Sequence, residues 1–62
     1  MPVVNIKILD GRTVAQKKML VEKMTDAILE SIDTERDHIS IFIEEVKRSN
    51  HALGGVLISE EE

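Results

Sequence analysis

Pro2 stands directly after Met1, and this is the first place in the chain where residue type and position could do chemistry. Once Met1 is removed, as a residue as small as proline normally permits, the ring nitrogen becomes a free secondary amine. Such an amine is basic enough to take a proton, and its ring holds it rigid. Burial beside a cation would disfavour the protonated amine and push its pKa below the ordinary α-amino value. Inside a peptide bond the same nitrogen is not basic, and Pro2 would then do no more than open an edge strand, where its missing N–H costs little. Arg12 is the second candidate. A guanidinium can hold a carboxylate through two parallel hydrogen bonds and stabilise charge developing on an enolate oxygen. The plainer reading is a solvated loop arginine beside a helix start. His38 and His51 are the only imidazoles; with no cysteine and no clustered carboxylates at zinc-ligand spacing, no metal site is expected.

The elements that must position these groups can be read in order. Val3 to Leu9 alternates with period two, placing Val4, Ile6 and Ile8 on one face and Val3, Asn5, Lys7 and Leu9 on the other, which predicts a strand. Asp10 and Gly11 break the pattern. Thr13 with Gln16 three residues later fits a capping box, so a helix is expected from about Val14. Gln16, Leu20, Met24, Ala27, Ile28, Ser31 and Ile32 then recur at three- and four-residue steps, with Lys17, Lys18, Glu22, Asp26 and Glu30 expected on the outer side and the helix ending near Ile32. After the polar stretch Asp33 to His38, Ile39 to Val46 is β-branched and alternating, a second strand. Strand, helix and strand make a βαβ unit with parallel strands, an α/β (α+β) fold. Gly54-Gly55 before Val56, Leu57 and Ile58 predicts a turn and a short C-terminal strand or hairpin, available to pair with another subunit.

Because parallel strands begin together, Ser40 should lie at the Pro2 end of the sheet. Arg12 should lie at the other end, roughly 20 Å away at about 3.3 Å per residue, too far for one side chain to span. If both serve one site, different subunits supply them. Length points the same way: 62 residues make at most one domain, 1–62, whose core must be aliphatic because Phe42 is the single aromatic. Disulfides are excluded, so oligomerisation is the expected source of additional stability. Phe42, Val46, Val3 and Leu9 would supply apolar contacts on the uncovered sheet face.

A formal net charge of −4, with much of the excess in Glu60, Glu61 and Glu62, argues against nucleic acid as a partner and against an anionic membrane. No hydrophobic run spans a bilayer and no signal peptide is apparent, so the expected location is cytoplasmic.

Met1-Pro2 before a strand, the run Ile8-Leu9-Asp10-Gly11-Arg12-Thr13 before a helix, the late pair Gly54-Gly55 and this length together resemble the 4-oxalocrotonate tautomerase family over nearly the whole chain. The resemblance implies a βαβ subunit, dimers with a four-stranded sheet, and homo-oligomers that are usually hexamers, trimers of dimers. It also implies cofactor-free keto–enol tautomerisation of a small enol or unsaturated 2-oxo acid such as 2-hydroxymuconate, with Pro2 as general base, Arg12 binding the substrate carboxylate, and backbone amides near Leu9 and His38 orienting the substrate. Two positions depart from the family pattern. Ser40 stands where its characterised tautomerases carry a second arginine, and His51 replaces an aromatic wall residue, either lining the pocket or standing as an exposed loop histidine. Lys47 and Arg48 are possible substitute cations. The same fold would also serve a non-catalytic oligomeric scaffold, or a related hydrolytic or decarboxylating activity that uses the same proline.

Overall fold

A computed structural model describes residues 1–60; Glu61 and Glu62 of the acidic tail lie outside the described residues. Strand β1 (Val3–Leu9) leads through Gly11 to helix α1 (Val14–Ser31), a single 3-10 turn at Arg36–His38, and strand β2 (Ser40–Val46). The arm that follows holds 3-10 turns at Arg48–Asn50 and Ile58–Glu60, on either side of the two-residue strands β3 (Ala52–Leu53) and β4 (Val56–Leu57).

Both strands form where the two-residue alternation predicts, and they pair in parallel from Val3 opposite Ser40 to Leu9 opposite Val46. Along β1 half-buried and exposed side chains alternate at every step, with Val4, Ile6 and Ile8 on the helix side. Helix α1 starts where its cap dictates. The Thr13 hydroxyl accepts from the Gln16 N–H at 3.0 Å, and the Gln16 side chain accepts from the Thr13 N–H at 2.9 Å, so two otherwise free donors are satisfied reciprocally. The Ile32 N–H closes the other end on the Ile28 carbonyl.

The inner face of α1 differs from the expected one. Lys17, Leu20, Val21, Met24, Thr25, Ile28 and Leu29 are half-buried, whereas Gln16, Ala27, Ser31 and Ile32 are exposed. The cause lies in the sheet: the β2 register turns Glu45 toward the helix, opposite Ile8, and Lys17 points inward to pair with it. A second difference concerns Ile58, which begins a 3-10 turn instead of extending β4. The glycine pair does form its turn. Gly54 and Gly55 have φ of 58° and 85°, the two positive angles that a tight hairpin turn demands and that side-chain-bearing residues adopt reluctantly. Strands β3 and β4 therefore pair antiparallel within this chain.

None of the described residues is fully buried. The chain exposes 4980 Å², against about 4,000 Å² expected for a folded monomer of its mass. Its radius of gyration is 15.0 Å, where about 11 Å is expected for a compact chain of this length. Phe42 is 61% exposed, Val3 56% and Leu53 61%, so apolar surface stands open on the uncovered sheet face and on the arm. No helix among the described residues is long and apolar enough to cross a membrane.

Candidate active site

Pro2 sits half-buried just before β1, and its carbonyl accepts a hydrogen bond of 3.0 Å from the Ser40 N–H. Ser40 is itself half-buried at the first position of β2, so the serine lies beside the proline as parallel pairing requires. Met1, by contrast, is 89% exposed and stands clear of the sheet. His38, exposed at the end of the 3-10 turn, donates its N–H to the Glu35 carbonyl at 3.0 Å, and the Ile39 N–H goes to Arg36 at 3.3 Å. The amide expected to orient substrate near His38 is thus engaged within the turn. The polar side chains at this end include the exposed His38 and the half-buried Ser40. Arg36, the cation of that turn, reaches the Asp26 carboxylate at 2.7 Å.

Arg12 occupies the far end of the same strand. The Asp10 N–H closes the ladder on the Val46 carbonyl at 3.1 Å, Gly11 turns the chain with φ of 102°, and Arg12 emerges exposed just before the capping box. It lines a cleft of about 270 Å³ with Ile8, Gln16, Lys17 and Leu20. Lys17 bonds to Glu45 Oε1, both side chains partly screened from water, whereas Arg12 makes no ion pair with any described residue.

Leu9 and His51 meet on the open face of the sheet, in a second cleft of about 370 Å³ lined also by Lys7, Glu44, Val46 and Asn50. His51 is exposed and lines this cleft; its carbonyl accepts from the Ile58 N–H at 2.8 Å, which ties the arm together. The bonds from Pro2 and Asp10 to β2 fix which way β1 faces. Residues two apart share an edge, so Val3, Asn5, Lys7 and Leu9 turn their backbone N–H and carbonyl groups to the outer edge, where no described strand pairs with them.

The expected site residues therefore fall into three groups. Pro2, Ser40 and His38 gather at one end of the sheet, Leu9 and His51 at the other, and Arg12 beyond that end on the helix side. Seven residues of extended β1 lie between Pro2 and the Arg12 turn, so one chain does not bring them together. Lys7, Glu44 and Asn50 were not singled out as cleft residues from sequence. The signal for the first two was available, since in the parallel register Lys7 lies opposite Glu44 on the uncovered face.

Comparison with known proteins gives a consistent picture. Residues 2–61 match the tautomerase family, described as "Tautomerase enzyme". The chain is 42% identical over 62 residues to the 2-hydroxymuconate tautomerase of Bacillus subtilis (strain 168), covering all of both chains. It is also similar to the crystal structure of YwhB, a homologue of 4-oxalocrotonate tautomerase, with a TM-score of 0.92, 41% identity, and coverage of 98% of this chain and 100% of that one. A heterohexameric 4-oxalocrotonate tautomerase from Chloroflexus aurantiacus J-10-fl aligns over 100% of both chains with a TM-score of 0.88 at 26% identity.

Proposed function

Because the chain belongs to the tautomerase family and is an isomerase, we propose that it interconverts the enol and keto forms of a small unsaturated 2-oxo acid, with Pro2 as general base. Removal of Met1 frees the ring nitrogen, and the exposure of that methionine favours its removal. The neutral amine takes the proton of the enol hydroxyl, electrons shift along the conjugated system, and the resulting prolinium returns the proton to carbon. Atoms and charge balance without a cofactor. Arg12 of a neighbouring copy holds the substrate carboxylate and offsets the charge that builds on the enolate oxygen. Leu9, through its edge-facing amide, and Ser40, His38 and His51 line the space between them.

The observation that carries this reading is the placement of Pro2 and Arg12 at opposite ends of one strand whose outer edge is unpaired. A second copy running antiparallel along that edge would set each Pro2 beside the other copy's Arg12 turn and satisfy the free edge groups at once. The absence of a fully buried residue among those described favours such assembly, and family members include a heterohexamer. For this chain we assign a cytoplasmic homo-hexamer, a trimer of dimers.

The 2-hydroxymuconate tautomerase relative supplies the first substrate to try. Intact mass of the purified protein, measured on the sample whose turnover of 2-hydroxymuconate is followed by ultraviolet absorbance, tests the proposal. The expected species begins at Pro2 and turns over. Full activity in a preparation made only of Met1-bearing chains would refute it.

A further inference from the structure

The charges around the two ends of β1 bear on which acids the site accepts. Two cations line the Arg12 cleft, but only one is uncompensated: Lys17 is held by Glu45, and Arg12 makes no ion pair with a described residue. At the Pro2 end the adjoining strand offers the neutral Ser40, and the turn leading into it carries Arg36 already bonded to Asp26. On the open face Lys7 lies opposite Glu44, so that cleft carries both signs. The two ends of β1 thus offer one arginine with no ion pair to a described residue, for one anionic group, and a neutral serine at the Pro2 end, while Lys7 between them shares its cleft with Glu44.

We infer that the enzyme is built for substrates bearing a single carboxylate, enols or unsaturated 2-oxo monoacids, and that Glu45 helps set this limit by neutralising Lys17. The inference rests on the reading that Pro2 and Arg12 serve one site. A second carboxylate at the Pro2 end would meet the neutral Ser40 and an arginine already bonded to Asp26, and an anion removed from water without a partner cation is strongly disfavoured. Glu45 is a positioning residue here, since it acts through Lys17 and touches no substrate.

The test compares 2-hydroxymuconate with its analogue lacking the distal carboxylate, a dienol monoacid, on the mature oligomer. The native protein is expected to show kcat/KM for the monoacid at least equal to that for the diacid; a preference for the diacid of tenfold or more overturns the inference. Glu45→Gln frees the Lys17 ammonium and is expected to shift the ratio several-fold toward the diacid. Adding Lys17→Met to that variant removes the freed charge and should return the ratio to the native one. A ratio unmoved by Glu45→Gln in a folded protein refutes the part assigned to Glu45. If neither acid turns over, the tautomerase reading fails on its own. The same two acids are then compared as ligands by NMR titration, where tighter binding of the diacid by tenfold or more still overturns the inference.

Discussion

The two ends of β1 differ in shelter and in charge. At one, Pro2 is half-buried and tied by a main-chain bond to Ser40, and the turn leading into β2 carries Arg36 already paired with Asp26. At the other, Arg12 stands exposed and without an ion-pair partner among the described residues, between a glycine turn and a firmly capped helix. The contrast follows from the chemistry proposed for each. A base must lose its proton easily, so it gains from shelter and from a nearby cation that arrives only when the site is complete. An anion holder must keep its charge free for the ligand. On that proposal, placing them seven residues of extended strand apart leaves a lone chain with half a site at each end.

The first way to break the contrast is at the base. Pro2→Ala leaves a primary, more flexible amine and is expected to lower kcat by about 10²-fold or more, within the range for positioned general bases, while KM changes little. Steady-state kinetics on a protein whose intact mass shows an unblocked alanine would check it. At the opposite end, Arg12→Ala should lower kcat/KM by about 10²-fold, with much of the loss in KM because carboxylate binding goes with it. A variant that loses kcat alone would move Arg12 from binding to chemistry.

Mixing the two variants sharpens the comparison. Pro2→Ala and Arg12→Ala chains, unfolded together in equal amounts and refolded, should regain about a quarter of the native sites, each pairing an intact proline with an intact arginine from another copy. No regain in verified mixed oligomers would mean that one chain supplies both groups. The smallest effect is expected at the cap: Thr13→Ala should cost about 1 kcal/mol of stability, read as a lower Tm, with the ratio between substrates unchanged.

Much of the scaffold was legible because its signals are local. The period-two run of β1 and the Thr13–Gln16 pair each act within a few residues, and both appear where the spacing places them. The inner face of α1 was less legible. Lys17 turns inward because Glu45, 28 positions away in sequence, lies across from it, and where Glu45 lies depends on the register of β2 against β1. Ile58 continues the apolar run of β4 in type but leaves the strand after donating its N–H to His51, a closure that composition does not encode. For the site, parallel pairing placed Ser40 beside Pro2, as the main-chain bond between them shows. On the proposed assembly, how Arg12 approaches a proline was not legible because it depends on an edge of β1 that another copy would fill.

The lack of any fully buried side chain among the described residues has a consequence for the protein in its cell. On the assembly proposed above, folding becomes a social event whose midpoint shifts with the protein's own abundance, because the folded monomer has little to gain alone. Expression level then acts as a stabilising ligand. A chain that has lost both groups would spoil its own site and the neighbour's site that it completes, so such chains cost more sites than their share of subunits.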